Sequence, residues 1–353
     1  MKLYSTNEWG KLREVIIGNV EETYVPKFFK NPRFNDRFIF SDRGDFNIHK
    51  TIKKRFDNSK NITLDDVNLI DKRILEERKE DVENLCDILR KEHISVLRPK
   101  LLNGIQSIKT PYWESLTLPA HNVRDLVLII KDMIIETSVM NTFRYFETDL
   151  FKDIFYEYFK NGCKWISAPK PTLQYIDEKD FEDDNIKDIN ETEIMFDAAQ
   201  ILRFGDKLLF NISTKHNYMG YLWLKSILQD KFEIYPIERI CYTHIDGAMM
   251  PLEDGVILYD PIKMTKDNLD KLPDWLKKWK FIPAQDDNDM ERYTGTNVLV
   301  LGDKKIIINA ASTELIKKLN SLRYTCIPVQ LRHNRMFVGA FHCISLDTVR
   351  DDV

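Results

Sequence analysis

One unit recurs along this chain and limits what it can fold into: an apolar run, a tight turn, a second apolar run, a helical stretch and a third apolar run. Four copies are clear. Asp125 opens L-V-L-I-I, Lys131-Asp132 turns the chain, and Met133–Glu136 returns. Asp197 opens A-A-Q-I-L-R-F, which turns at Gly205-Asp206 into Leu208–Asn211. His244 opens I-D-G-A-M-M, which turns at Glu253-Asp254-Gly255 into Val256–Tyr259. Asn297 opens V-L-V-L, which turns at Gly302-Asp303 into Ile306–Asn309. Two short β-rich runs across a Gly/Asp turn predict a hairpin. Helices are predicted after each, over 140–161, 215–229, 266–279 and 313–323, from apolar spacing near 3.6 residues. Short strands over 164–167, 232–235, 280–283 and 325–329 close the units. The first unit is looser. A strand over Glu14–Gly18 is separated from a helix over Glu76–His93 and a strand over Ile94–Leu97 by an insertion at about 19–75, rich in charge and in Phe/Tyr.

Five ββαβ units predict an α/β fold built by radial repetition, each small sheet burying one face on its helix and another on its neighbours. With no low-complexity linker, residues 1–353 read as a single domain. In a closed ring, equivalent positions meet at the axis. Asp125, Asp197 and the His244/Asp246 pair would then converge there with Cys343, which lies near the end of the sequence. A single continuous sheet would contradict this.

Composition narrows the function. The chain is 43% hydrophobic and 31% charged with a net charge of −4, so it lacks the basic face of a nucleic-acid binder. Its longest aliphatic runs are too short to span a bilayer, and the N-terminus lacks the apolar stretch of a secretion signal. Five cysteines without a CxxC pairing fit free thiols and a reducing compartment, hence a cytoplasmic location. A homo-oligomer such as a homodimer is the default assembly.

Taken singly, an aspartate at a strand mouth bonds nearby backbone, and a cysteine in F-H-C-I is a small buried hydrophobe. Together they suggest a site. His244 and Asp246, two apart on an expected strand, would point to the same face. A thiol, an imidazole and several carboxylates supply a nucleophile, a general acid/base and an anionic cradle. Such a cradle suits a guanidinium, whose planar fork carboxylates bind bidentately. The bound cation would also lower the pKa of the thiol.

Nine stretches, in order, carry a resemblance: N-E-W-G-K-L-R-E-V-I-I-G (7–18), V-P-K-F (25–28), R-D-L-V-L-I-I (124–130), R-Y-F-E (144–147), K-W-I-S-A-P-K-P-T (164–172), M-F-D-A-A (195–199), N-Y-M-G (217–220), H-I-D (244–246) and F-H-C (341–343). The set resembles the glycine/inosamine-phosphate amidinotransferases of the pentein superfamily. The resemblance implies a pentein α/β-propeller, five ββαβ modules around a pseudo-fivefold axis. It implies an enzyme that moves the amidino group of L-arginine to a primary amine and releases L-ornithine. Cys343 would be the nucleophile, His244 the general acid/base and Asp197 its carboxylate partner, with Asp125 and Asp246 as further guanidinium ligands. The cycle would be ping-pong and need no cofactor or metal.

Four departures accompany the resemblance. Cys241-Tyr242-Thr243 stands where glycine-specific members carry Asn-Pro-Met, which places Thr243 on the acceptor wall and leaves the acceptor open. Lys263 stands for an arginine at the carboxylate end of the substrate. The glycine-rich loop before F-H-C is here Met336–Ala340. Gln200 replaces an aspartate three residues after Asp197. Two other readings stay in view: a guanidine hydrolase of the arginine deiminase type, and a guanidinium-binding module without turnover.

Overall fold

The structure is a computed structural model that describes residues 2–26, 61–174, 180, 185–241, 244–284, 295–333, 337 and 339–352. Most of the insertion expected at 19–75 therefore lies outside the described residues. Its flanks are short strands, Tyr24–Pro26 paired antiparallel with Val67–Leu69.

The repeat produces five separate three-stranded sheets with one topology, not a continuous sheet. In the second module Val127–Ile130 runs antiparallel to Met133–Glu136, which runs parallel to Lys164–Ser167. The third uses Ile201–Phe204, Lys207–Ile212 and Glu233–Glu238. The fourth uses Met249–Glu253, Val256–Tyr259 and Lys280–Pro283. The fifth uses Leu299–Gly302, Lys305–Asn309 and Thr325–Val329. The first module follows the same plan with its strands drawn from both ends of the sequence. Ser345–Arg350 pairs antiparallel with Leu12–Ile17, which pairs parallel with Ser95–Leu97. That unit reads as loose in the sequence because its opening strand is the last one in the chain.

Two of the expected helices are shorter than their apolar pattern. In the second module the helix is Lys152–Lys160, preceded by 3₁₀ turns at Thr142–Arg144 and Glu147–Phe151. In the fourth, Lys266–Asp270 and Asp274–Lys277 flank Pro273, whose ring and missing N–H interrupt a helix. The third-module helix, Lys215–Leu228, matches its pattern and starts at a capping box between Thr214 and Asn217. In the first module the helix is Lys72–Lys91. Among the described residues no helix is long and apolar enough to cross a membrane.

Five apolar clusters join the modules in a cyclic order. Ile16 and Leu346 pack with Leu126 and Ile134, joining first and second modules. Ile135 meets Phe210 between second and third, and Leu209 meets Ile257 between third and fourth. Leu258 meets Ile306 between fourth and fifth. Leu301 and Val329 return to Val15 and Leu85, joining fifth to first. The first two strands of each module's sheet are thus largely buried, which suits their β-branched content, while the parallel third strand keeps exposed positions.

An ion cluster sits where the N-terminal segment, the second and third hairpins and the last strand meet. The Arg203 guanidinium donates to Glu8 at 2.8 Å and to Asp347 at 2.8 Å, and also to Ser5 Oγ and the carbonyl of Ile129, both at 2.9 Å. Arg124 lies 2.5 Å from Asp347, and Arg350 Nε donates to the same carboxylate at 2.6 Å. Burial alone would favour neutral carboxyls, yet the guanidiniums hold Glu8 and Asp347 well below the usual carboxylate range. Removing one partner from such a cluster strands the others in a poor solvent for charge. Arg203→Met, which keeps bulk and removes the fork, is expected to lower the free energy of unfolding by about 3–5 kcal/mol in urea titrations followed by tryptophan fluorescence. A loss below about 1 kcal/mol, the size of a surface pair, would mean that the cluster does not hold these four segments together.

Candidate active site

Short 3₁₀ turns ahead of three hairpins carry the acids and the imidazole. Asp125 ends the turn Val123–Asp125, Asp197 caps Ala198–Gln200, and His244 caps Ile245–Gly247, which contains Asp246. This corrects the expectation that His244 and Asp246 share a strand face, because the fourth-module strand begins only at Met249. A 3₁₀ turn advances roughly 120° per residue, so the two side chains find different partners. His244 reaches back to the second and third modules, with Nε2 3.0 Å from Asp197 Oδ2 and Nδ1 3.4 Å from Asp125 Oδ1. Asp246 turns toward the end of the chain, where its Oδ2 meets His342 Nδ1 at 2.8 Å and accepts from Asn297 Nδ2 at 3.1 Å. Cys343 Sγ donates to the same oxygen at 3.5 Å. The structure therefore brings together Asp125, Asp197, His244, Asp246 and Cys343.

Cys343 lies in the turn just before the last strand, 7% exposed. Gly339 stands over it with φ +124°, in the left-handed region that favours glycine. A Cβ there would come within 2.8 Å of Cys343 Cβ and 3.2 Å of Sγ. The single glycine retained in 336–340 is the one the thiol's packing requires. Phe337 is also described, whereas Met336 and Val338 are not.

Gln200 is part of the support for Asp197. Its Oε1 accepts from the Asp197 N–H at 3.0 Å and its Nε2 donates to the Asn211 carbonyl at 3.1 Å, so it fixes the turn that presents the carboxylate. Lys263 reaches the mouth of the fourth module, donating to the Gly247 carbonyl at 2.9 Å beside Asp246. Thr243 lies outside the described residues.

Four residues that sequence reasoning did not select complete the surroundings. Arg144 donates to Asp125 Oδ2 at 2.5 Å and is gripped by Glu147 at 2.6 and 3.1 Å. Both belong to the R-Y-F-E stretch, so that motif was the available signal. His342 bridges Asp246 and Glu8, with Nε2 3.3 Å from Glu8 Oε2, and so links the thiol turn to the buried ion cluster. Asn297 opens the fifth hairpin, the place that Asp125 and Asp197 hold in theirs, so the repeat itself pointed to it.

Electrostatics set the resting state. Burial opposes charge on His244, but Asp125, the hydrogen bond to Asp197 and the charges of Asp197 and Asp246 outweigh it and push the imidazole up to about 9. Burial and the nearby Asp246 and Asp125 carboxylates push the Cys343 thiol well above its ordinary value. Burial also raises Asp125, against the pull of His244 and Arg144. Asp246 is lowered, because the hydrogen bond and charge of His342 and the charge of His244 outweigh its burial. At neutral pH the site thus holds a thiol and an imidazolium. A planar cation entering among the three acids would favour the thiolate. Asp197 Oδ1 is buried and has no hydrogen-bond partner among the described residues.

No family model matches the chain. Inosamine-phosphate amidinotransferase 1 of Streptomyces griseus is 31% identical over 363 residues, spanning 98% of this chain and 96% of that protein. The L-arginine:L-lysine amidinotransferase of Pseudomonas savastanoi pv. phaseolicola is 27% identical, over 98% of this chain and 94% of its own length. The solved structure of the S. griseus inosamine-phosphate amidinotransferase superposes with a TM-score of 0.80 at 29% identity, covering 99% of this chain and 97% of that one. The DDAH of Pseudomonas aeruginosa, 14% identical with a TM-score of 0.57 over 95% of this chain and 99% of that one, shares the α/β fold.

The imidazolium has a consequence for stability. A histidine raised from 6.5 unfolded to about 9 folded stabilises the native state fully below pH about 6.5, and the contribution disappears as pH rises through about 9. At 1.36 kcal/mol per pH unit, discounted because the His244 side chain is 24% exposed, this amounts to about 2–3 kcal/mol. Urea unfolding between pH 6 and 9.5 is expected to show the wild type losing stability faster than His244→Asn. Parallel curves would mean that the imidazolium is not held by Asp125 and Asp197.

Proposed function

We propose, proceeding from the fact that this chain belongs to the amidinotransferase family and is an amidino-group transferase, that its donor is L-arginine and its carrier is Cys343. One observation carries the reading: carboxylates from three modules, Asp125, Asp197 and Asp246, surround one imidazole and one thiol. The five cyclically packed sheets read as the pentein propeller, with residues 1–353 as one domain and this site at the centre of the ring.

The guanidinium of arginine is held by the three acids, and Lys263 attends its carboxylate end. The added positive charge expels the thiol proton to solvent, from which it returns once the product cation has left, and leaves a thiolate beside an electrophilic carbon that stays protonated on its nitrogens. Cys343 Sγ attacks that carbon. The bond from the carbon to the ornithine nitrogen breaks as the His244 imidazolium gives that nitrogen a proton. Ornithine leaves and an amidino-cysteine remains. A primary amine, the substrate to which the sequence assigns Thr243, then enters, gives a proton to neutral His244, and attacks the amidino carbon. The C–S bond breaks and the thiolate returns. The relatives are named for inosamine-phosphate, for lysine and for glycine, and they leave the acceptor amine open. Free thiols and these small substrates suit a cytoplasmic enzyme, and the expected assembly is a homodimer.

Incubation with arginine and a panel of primary amines is expected to release ornithine, and mass spectrometry after arginine alone to show an amidino adduct that is lost in Cys343→Ser. That variant should lose roughly a thousandfold or more in turnover. Citrulline and ammonia from arginine alone would replace transfer by hydrolysis. Neither product from folded protein would end the reading. In the Cys343→Ser background, Asp246→Asn is expected to weaken arginine binding by about 2–5 kcal/mol in calorimetry. A change under about 0.5 kcal/mol, within the scatter of surface substitutions, would remove Asp246 from the cradle.

A further inference from the structure

We propose that Asn297 is a positioning residue for the reactive sulfur: one half of its amide builds the turn that carries Cys343, and the other half stands as a shared donor between Sγ and Asp246. The proposal rests on the reading of Cys343 as nucleophile. Asn297 is buried just ahead of the fifth-module strand, with 4% of its surface exposed. Its Oδ1 accepts from three backbone N–H groups, those of Ala340, His342 and Cys343, each at 3.1 Å. These three donors need an acceptor and so fix which end of the amide is oxygen. Nδ2 is left with two hydrogens and has two acceptors, Cys343 Sγ at 3.0 Å and Asp246 Oδ2 at 3.1 Å.

The arrangement answers a specific difficulty. While protonated, Sγ donates to Asp246 Oδ2 at 3.5 Å. Once the proton leaves, a thiolate and a carboxylate face each other at that separation, with Asp125 as a further negative neighbour. Like charges at such range in a buried site oppose ionisation strongly. The Asn297 amide gives each anion one hydrogen, and its hydrogen bond to Sγ acts against the burial and carboxylate charges that keep the thiol protonated. His342 Nδ1 supports Asp246 from the other side. Asn297 thus makes the thiolate tolerable beside Asp246 without adding a positive charge that would repel a guanidinium.

The two halves of the amide can be separated. Asn297→Asp keeps an acceptor for the three turn N–H groups, removes both donors and adds a negative charge that itself opposes ionisation of the thiol. Asn297→Ser, smaller and unable to serve five partners, is the second arm. The readout is the rate of iodoacetamide labelling of Cys343 from pH 6 to 11 without arginine, located by peptide mass and accompanied by a thermal melt. In Asn297→Asp the midpoint of the labelling profile is expected to rise by at least about one pH unit, a tenfold loss of thiolate at a given pH, with a cooperative melt retained. Asn297→Ser is expected to shift the same way by less. A midpoint within about 0.3 unit of the wild type in the uncharged Asn297→Ser would overturn the proposal, whatever Asn297→Asp shows. So would failure of both to fold, which would leave the amide a structural role alone. Because no arginine is present, the result is independent of whether the wild type makes ornithine. Failure of the proposed reaction and failure of this assignment are therefore separate outcomes.

Discussion

The pairing of Ser345–Arg350 with Leu12–Ile17 is the constraint from which the rest of the molecule follows. It supplies the strand that the first module lacks, and with it the cyclic order of apolar clusters runs from the fifth module back to the first. The same strand carries Asp347, the anchor for three buried guanidiniums, and begins two residues after Cys343. The thiol is held by a ladder on one side and by the Asn297 amide on the other.

Around that thiol the protein accepts an arrangement that is unfavourable when empty. Three carboxylates are buried within reach of one another, and like charges in low dielectric repel strongly. Two cations keep the arrangement tolerable. Arg144, gripped by Glu147, neutralises the outer edge of Asp125, and His244 carries a proton between Asp125 and Asp197. The first is fixed by its hydrogen bonds. The second is a weaker acid than usual yet can still give its proton away, which makes it suited to passing a proton to and from a nitrogen of substrate. Asp246 has no arginine partner among the described residues and is held by hydrogen bonds from His342 and Asn297.

Much of this was legible in the sequence, and the reasons differ by element. Hairpins were readable because Gly/Asp turns between β-branched runs leave little alternative, and their converging mouths gave Asp125, Asp197, His244 and Asp246 as neighbours. The strand face proposed for His244 and Asp246 was not right, since the residues ahead of the strand bond locally as a 3₁₀ turn that alternation cannot reveal. The closing strand was hidden for another reason. Strand pairing between opposite ends of a chain has no signal in local periodicity, so the first unit looked incomplete. The R-Y-F-E stretch shows Arg144 and Glu147 in the sequence but not their role, because a buried ion pair behind a site leaves no spacing rule. Asn297 was visible as the start of a hairpin and passed over because an amide carries no charge.

The closure also sets an order of events during synthesis. Leu12 must wait for Arg350, so the first module stays unfinished until residue 350 has been made. Four modules can collapse on local contacts while the first keeps an open edge, and pairing between such distant segments is slow because a very long loop must be closed. Cys343 is brought beside Asp246 by the same pairing, so a chain in which the two ends have not met holds its carboxylates without the thiol among them.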